Sequence, residues 1–192
     1  MQIELTGKKA LVTGASRGIG RAIAEAFVAK GAKVVGTATS QSGADAISAY
    51  LGDAGCGLVL NVTSSESVET LFATIKERFG DVDILINNAG RQQYRESLEE
   101  LTTEDFDATF KTNVYAPFWI TKAALRHLKA SSVIINTSSV QAVKPSPVLL
   151  DYAQTKACLA VFTKSLAKQL GPKGIRVNAV APGPYWTVLQ SS

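Results

Sequence analysis

Residues 13–20 read TGASRGIG, which places Gly14, Gly18 and Gly20 directly after the first apolar stretch of the chain. At a strand-to-helix junction this spacing has a physical use. The first glycine allows a tight turn, the second lets the backbone approach a pyrophosphate, and the third lets the helix pack closely on the strand. The free N–H groups and the dipole of the following helix then face the phosphates. The segment predicts a strand, a phosphate-binding turn and a helix over residues 9–30.

The remaining residues continue this alternation of strand and helix. Near-continuous apolar runs are typical of parallel strands that are covered on both faces. The predicted strands span residues 9–13, 33–37, 57–61, 83–87, 132–137 and 176–180, and the predicted helices span 18–30, 43–51, 65–79, 103–128 and 151–171. We therefore expect a single Rossmann-type domain over residues 1–192: a doubly wound parallel sheet in a three-layer α/β/α arrangement, without the usual last strand.

Composition argues against several other classes of protein. The 192 residues carry a formal charge of +4, one histidine, and two cysteines, Cys56 and Cys158, without metal-ligand spacing. We expect no metal site, no nucleic-acid partner, and two buried thiols in a reducing, cytoplasmic setting. No apolar run reaches the roughly 18 residues of a membrane span, so no membrane association is expected.

A second constellation lies far downstream of the turn. Tyr152 and Lys156 are four residues apart, so on a helix both side chains leave the same face, and Ser139 precedes the tyrosine. We predict that Tyr152 supplies a proton to a carbonyl oxygen, and that Lys156 lowers the tyrosine pKa and contacts a nicotinamide ribose. Ser139, rather than its neighbour Ser138, is predicted to hydrogen-bond that oxygen. Together with the turn, these residues predict hydride transfer between a nicotinamide cofactor and a carbonyl or alcohol.

The end of the second predicted strand bears on the choice of cofactor. It lacks the acidic residue that binds the ribose hydroxyls in folds that prefer NAD. Arg17 lies in the turn instead, and Thr39 and Ser40 follow the strand. Because a guanidinium suits a 2′-phosphate, we predict NADP(H) rather than NAD(H), with a merely solvated Arg17 as the alternative. Asn61 is a candidate for the adenine edge, although Asn61 and Asn88 are also compatible with capping or turn roles.

Four motifs in this order make the chain similar to the short-chain dehydrogenase/reductase family: TGxxxGxG at 13–20, NNAG at 87–90, YxxxK at 152–156 and PG at 182–183. The resemblance implies that Asn113 holds a proton-relay water beside the lysine, and that catalysis depends on Asn113, Ser139, Tyr152 and Lys156. It implies a cofactor site formed by Gly14, Ser16, Arg17, Gly18, Ile19, Gly20, Thr39, Asn61, Val62, Asn88, Ala89, Gly90, Tyr152, Lys156, Pro182, Gly183 and Thr187.

Within that family the two halves of the chain resemble different groups. Residues 1–90 are similar to bacterial 3-oxoacyl-[acyl-carrier-protein] reductases, whereas segments 149–152 and 181–187 are similar to glucose-dehydrogenase-like and general-stress oxidoreductases. We therefore hypothesise a mosaic of two parents joined near Gly90. Family members continue through a substrate lid, a helix and a seventh strand, so we expect a truncated chain whose sixth strand is an exposed edge.

The expected function is NADPH-dependent reduction of a carbonyl, with a 3-oxoacyl thioester as the favoured substrate, small or bound to a carrier. Arg126, Lys129 and Lys173 form a candidate docking patch for an acidic acyl carrier protein, or are ordinary solvated cations. Two other interpretations stay open: an NAD(P)-dependent dehydrogenase of sugars or simple alcohols, and an inactive nucleotide-binding fragment. The resemblance also implies a homodimer or homotetramer formed through helices 103–128 and 151–171.

Overall fold

The computed structural model describes residues 4–184, and at its centre is a sheet of six parallel strands. The order across the sheet is β3-β2-β1-β4-β5-β6, so the direction of winding reverses between β1 and β4. In open sheets of this kind, ligands bind beyond the carboxyl ends of the strands near such a reversal. The strands are β1 (Lys9–Val12), β2 (Lys33–Ala38), β3 (Gly55–Val59), β4 (Ile84–Asn87), β5 (Val133–Thr137) and β6 (Arg176–Val180).

Helices cover both faces of the sheet. They are α1 (Gly18–Ala29), α2 (Gln41–Leu51), α3 (Ser65–Phe79), α4 (Thr103–Phe110), α5 (Ala116–Ala124) and α6 (Leu150–Leu170). Successive strand residues point to opposite faces: Ala10 and Val12 pack in one core cluster and Leu11 in the other. The predicted Rossmann-type, three-layer fold is confirmed.

Each core cluster takes its helical residues from a different set of helices. Ala24 of α1 and Ile47 of α2 join the first cluster. Phe72 of α3, Ile120 of α5 and Leu166 of α6 join the second, larger cluster. The sheet therefore separates α1 and α2 from α3, α5 and α6, and the catalytic candidates on α6 lie in the second layer.

The prediction of one unbroken helix over residues 103–128 is wrong. A π-helical turn, Lys111–Tyr115, separates α4 from α5, and α5 ends at Ala124. Pro117 explains the break because it has no N–H to donate to the carbonyl of Asn113 four residues earlier. The wider turn brings the Asn113 side chain against the segment that follows β4.

Two glycines set the position of β3, which begins at Gly55 rather than at the predicted residue 57. A Cβ on Gly55 would lie 2.0 Å from the carbonyl oxygen of Val34, and one on Gly57 would lie 2.0 Å from that of Ala44. The strand therefore approaches β2 and α2 at distances that only glycine permits. At the other edge, β6 leaves four of its five residues exposed, with Val177 buried.

The expectation that both thiols are buried is also wrong. Cys158 is exposed and Cys56 is half-buried. Cys158 lies two residues beyond Lys156 on α6, and this offset turns it away from the face that packs on the sheet. Over residues 4–184, no helix has both the length and the apolar character needed to cross a membrane.

Candidate active site

A cleft of about 510 Å³ lies beyond the carboxyl ends of the strands, and segments that follow all six strands line it. Among the residues named from the sequence, its wall contains Gly14, Ser16, Arg17, Gly18, Ile19, Gly20, Thr39, Val62, Asn88, Ala89, Gly90, Ser139, Tyr152, Lys156, Pro182 and Gly183. Asn61 and Asn113 are not part of this wall, and Thr187 lies outside the described residues. The fold thus brings most of the predicted site residues to one place.

The glycine-rich turn has the close geometry that its spacing predicts. Gly14 and Gly18 have φ angles of 67° and 57°, in the left-handed region where a side chain is strained. A Cβ on Gly20 would lie 2.1 Å from the carbonyl oxygen of Gly14 and 2.5 Å from Nδ2 of Asn88. The third glycine is therefore needed because α1 packs directly on the turn.

Replacing Gly20 by alanine should destabilise the protein. The added methyl overlaps backbone that cannot move without opening the turn, and such overpacking costs about 1–3 kcal/mol. For a chain of this length that corresponds to a fall in Tm of about 3–10 °C, measured by differential scanning calorimetry. Gly171→Ala is the matched control, because nothing lies within 4 Å of the added methyl. Equal Tm values for the two variants would contradict this account.

The start of α1 differs from the starts of the next three helices. Ser40, Ser64 and Thr102 cap α2, α3 and α4 by accepting a hydrogen bond from a backbone N–H. Arg17 occupies the same position before α1 but makes no such hydrogen bond. The first residues of α1 thus line the cleft without a capping side chain, as an anion-binding helix start requires.

Asn88 holds the turn in place through its own amide. Its Nδ2 donates to the carbonyl oxygens of Thr13 (3.0 Å) and Gly14 (3.3 Å), and its Oδ1 accepts from the Thr137 hydroxyl (3.4 Å). The backbone N–H groups of Asn88 and Ala89 both donate to Oγ1 of Thr13, at 2.9 and 3.0 Å. Sequence reasoning did not assign a role to Thr13, although it begins the motif. These bonds connect the ends of β1, β4 and β5.

Asn61 has a local role in the structure. Its Oδ1 accepts hydrogen bonds from the backbone N–H of Thr63 (3.1 Å) and from the Thr63 hydroxyl (2.8 Å). This is the turn interaction that the sequence left open as the alternative. Leu60 and Val62, on either side of Asn61, line the cleft instead. The geometry therefore gives no support to the predicted contact between Asn61 and an adenine edge.

The candidate catalytic side chains converge on the far end of the cleft. Ser139, Tyr152 and Lys156 are only 7%, 7% and 3% exposed. Nζ of Lys156 donates to the carbonyl oxygen of Thr137 (2.8 Å) and lies 5.3 Å from the centroid of the Tyr152 ring. Ser138 uses its hydroxyl to bind the main-chain oxygen of Lys156 (2.9 Å). Ser138 therefore anchors α6, and Ser139 is the serine that faces Tyr152.

The expected effect of Lys156 on the tyrosine is not what the structure shows. Burial raises the pKa of Tyr152 above 10, and the hydrogen bond with the Ser139 hydroxyl only partly opposes that rise. Burial also lowers the pKa of Lys156 from 10.5 to about 8. Both shifts have the same cause, because burial disfavours the charged form of either group. At neutral pH the pair is a neutral phenol beside an ammonium ion.

Asn113 is buried behind the cleft rather than in its wall. Its Nδ2 donates to the carbonyl oxygen of Arg91 (2.8 Å) and to the Thr155 hydroxyl (3.0 Å), and its Oδ1 accepts from the Arg91 N–H (2.8 Å). A Cβ on Gly90 would lie 3.5 Å from Oδ1 of Asn113 and 3.6 Å from Nζ of Lys156. Asn113 and Lys156 thus flank the same glycine, and the relay role stays a prediction.

Some residues of the cleft wall were not predicted from the sequence: Thr37, Gly43, Leu60, Gln92, Thr112, Val140, Gln141 and Leu149. In the sequence, the only indication that these residues line a cleft is that they lie near a motif. No three His, Cys, Asp or Glu side chains within residues 4–184 cluster as metal ligands. The lining of the cleft includes both the cap-free start of α1 and the Tyr152–Lys156 pair.

The three residues of the candidate docking patch lie at the opposite ends of the strands from the cleft. Arg126 and Lys129 precede β5, and Lys173 precedes β6, so all three lie at the amino ends of the strands. A hydrogen bond of 2.8 Å from the Ser131 N–H to the Gly174 carbonyl oxygen holds the two loops together. None of the three lines the cleft, and Arg126 and Lys129 lie 3.6 Å from Glu69 and 3.8 Å from Asp83, so the docking patch stays a prediction.

This fold and this arrangement of side chains define an oxidoreductase of the Rossmann type. The family model for short chain dehydrogenases matches residues 8–192, and the chain belongs to that family. The similarity extends across both halves of the chain.

Known relatives and solved structures agree with this assignment. The chain is 51% identical to the 3-oxoacyl-[acyl-carrier-protein] reductase FabG of Haemophilus influenzae over 181 residues, which are 93% of this chain and 74% of that protein. It is 43% identical to the uncharacterized oxidoreductase YhxD of Bacillus subtilis, covering 98% of this chain and 65% of that one.

The structural match is equally extensive. A 3-ketoacyl-(acyl-carrier-protein) reductase from Brucella melitensis, crystallised with NADH, superimposes with a TM-score of 0.94 at 33% identity, covering 98% of this chain and 80% of that one. A dehydrogenase/reductase from Sinorhizobium meliloti gives a TM-score of 0.92 at 38% identity, covering 97% and 75%. These matches span both halves of the chain together, so the mosaic hypothesis stays a prediction.

Proposed function

We propose that this chain catalyses the NADPH-dependent reduction of a 3-oxoacyl thioester to a 3-hydroxyacyl thioester. The observation that carries the proposal is the single cleft that joins the cap-free start of α1 to Ser139, Tyr152 and Lys156. The identity of about half the residues with FabG of Haemophilus influenzae supports the choice of substrate class.

The described residues fit a dinucleotide along the whole cleft. The pyrophosphate is assigned to the N–H groups at the start of α1, where the glycines leave room for it. Ala89, Gly90, Pro182 and Gly183 form the wall between that point and Tyr152, and we assign the nicotinamide to it. When bound, the cofactor supplies the hydride that reaches the carbonyl carbon of the substrate.

The protein residues handle the oxygen and the proton. The Ser139 hydroxyl donates a hydrogen bond to the carbonyl oxygen and fixes it beside Tyr152. Tyr152, neutral because its pKa is raised, donates its phenolic proton to that oxygen as negative charge develops there. The charged Lys156 then stabilises the tyrosinate, and the burial of both side chains strengthens this attraction. A water held beside Asn113 is proposed to return the proton.

Arg17 is proposed to select NADPH over NADH. It is exposed at the turn and lines the cleft with Thr39 and Ser40. Hydrogen bonds to a charged group contribute about 1.5–3 kcal/mol, so Arg17→Ala should raise KM for NADPH by about 10- to 100-fold. KM for NADH should stay within about twofold, because NADH has no 2′-phosphate. Steady-state kinetics with both cofactors makes the test, and an equal loss with both would show that Arg17 does not read the phosphate.

Self-association is proposed through the helices that follow β4 and β5. Tyr115, Phe118 and Val161 are 46%, 47% and 62% exposed, which leaves large apolar side chains on the outer faces of these helices. A homodimer or homotetramer would cover them. The patch of Arg126, Lys129 and Lys173 is remote from the cleft of its own chain. It would therefore serve a carrier-bound substrate only if assembly places it near the cleft of another chain.

The experiment for the proposed function is an absorbance assay. Purified protein should oxidise NADPH on addition of an acetoacetyl thioester, and should do so poorly with NADH. Reduction of NADP⁺ by glucose or a simple alcohol, without thioester turnover, would favour the sugar or alcohol dehydrogenase interpretation instead. Binding of NADPH with no turnover of any of these substrates would favour the nucleotide-binding fragment.

A further inference from the structure

We propose that Tyr50 is a positioning residue for the phosphate-binding turn, acting from α2 through a single hydrogen bond. The inference rests on the proposed function only where it concerns NADPH. The Tyr50 hydroxyl donates to the carbonyl oxygen of Ala15 at 2.8 Å, across a separation of 35 residues. Ala15 is the second residue of the Gly14–Gly20 turn and is fully buried.

The bond completes a set of contacts that fix the turn. The Gly14 and Ala15 N–H groups donate to Thr37, at Oγ1 (3.3 Å) and at the carbonyl oxygen (2.9 Å). Asn88 binds the carbonyl oxygens of Thr13 and Gly14. The Ala15 carbonyl is the next acceptor along the chain, and Tyr50 binds it. With these carbonyls bound to neighbouring segments, the turn is fixed where the start of α1 lines the cleft.

The packing of α2 brings Tyr50 within reach of the turn. A Cβ on Gly36 would lie 2.9 Å from Cβ of Ala15 and 2.7 Å from Cγ2 of Ile47. The turn and α2 therefore both pack on β2 at Gly36, which has no side chain. Arg21 of α1 then lies over the Tyr50 ring, 4.7 Å from its centroid, and pairs with Glu25 at 2.8 Å. The ring thus lies under Arg21 and packs against the core cluster of α1 and α2, and its hydroxyl is bound to Ala15.

The chemistry of the hydroxyl suits this role. Burial raises the pKa of Tyr50 to about 12, so the group remains a donor throughout the pH range of any assay. It donates to a carbonyl and touches neither the proposed substrate position nor the reacting atoms. Tyr50 therefore acts on the affinity for the phosphates of the cofactor, and leaves the chemical step unchanged.

The test compares Tyr50→Phe with Ser48→Ala. The first variant removes only the hydroxyl. The second removes a hydrogen bond of the same helix, from the Gly57 N–H to Oγ of Ser48 (2.8 Å), on the side away from the turn. In the free protein, hydrogen exchange should accelerate in peptides covering residues 13–21 for Tyr50→Phe and stay unchanged for Ser48→Ala.

Nucleotide affinity gives the second measurement. Loss of one hydrogen bond predicts a rise of about 3- to 10-fold in Kd for NADPH and for adenosine 2′,5′-bisphosphate, with kcat and KM for the ketone unchanged. Adenosine, which carries neither of the phosphates assigned to the turn and to Arg17, should bind both variants as it binds the parent.

Each outcome has a definite meaning. Unchanged exchange in the turn of Tyr50→Phe, or a weakening of adenosine equal to that of NADPH and adenosine 2′,5′-bisphosphate, would overturn the proposal. If exchange accelerates but the parent protein itself does not bind NADPH, the proposed function fails while the positioning of the turn by Tyr50 stands.

Discussion

Replacing Tyr152 by phenylalanine is expected to lower kcat for ketone reduction by about 1,000-fold and to leave the Kd for NADPH unchanged. The substitution removes the proton donor and keeps the ring, which is only 7% exposed and packs at the start of α6. Burial raises the pKa of this phenol, which keeps it protonated and available as the donor at neutral pH. Stopped-flow turnover and NADPH fluorescence titration measure the two quantities.

Tyr94→Phe is the matched control for that experiment. Tyr94 is 53% exposed and lies outside the cleft wall, so its hydroxyl should be dispensable. A Tyr152→Phe enzyme with more than a tenth of the parental kcat would show that the proton comes from elsewhere. A large rise in the Kd for NADPH would show that the hydroxyl binds the cofactor instead.

Replacing Lys156 by methionine is expected to have two effects of opposite kind. The kcat for reduction should fall by about 100- to 1,000-fold, because the ammonium that stabilises the tyrosinate is lost. The free energy of unfolding at about pH 7 should be equal to or higher than that of the parent, because a buried charge has been removed. A residue needed for catalysis would thus be unfavourable for stability.

The pH dependence of stability separates this explanation from others. The folded-state pKa of Lys156 is about 8, below the ordinary value of 10.5, so the unfolded chain binds more protons between these two values. Stability of the parent therefore rises with pH across that window, and the rise is absent in Lys156→Met. Urea unfolding at about pH 7 and about pH 9.5 measures the difference.

Lys164→Met, at an exposed position on the same helix, is the control and should behave like the parent. A Lys156→Met protein much less stable than the parent at neutral pH would contradict the account, because it would make Lys156 a structural residue first. The same holds if its stability still rises between pH 8 and 10.5 as the parent's does.

The sequence predicted the parts of the fold and the candidate site that depend on local chemistry. Glycines 14, 18 and 20 define a turn because only glycine tolerates those backbone angles and that approach of α1. The spacing of Tyr152 and Lys156 puts both on one helical face wherever the helix lies. These inferences need no knowledge of the tertiary structure.

The parts that were missed depend on contacts between distant segments. The break at Lys111–Tyr115 has a local signal in Pro117, but its use, to press Asn113 against Arg91, requires the packed fold. The pKa of Tyr152 was misjudged because proximity in sequence suggests attraction by Lys156, whereas the degree of burial decides the sign. Nothing in the sequence indicated a role for Tyr50, because its hydrogen-bond partner, Ala15, lies 35 residues away.

The most direct test of the proposed reduction follows the hydride from NADPH to the thioester. The protein is incubated with NADPH deuterated at the transferable position of the nicotinamide and with an acetoacetyl thioester, and the product is analysed by mass spectrometry and NMR. We expect a 3-hydroxybutyryl thioester of one configuration with a single deuterium at C3. A product without deuterium at C3, or no 3-hydroxyacyl product at all although NADPH binds, would contradict it.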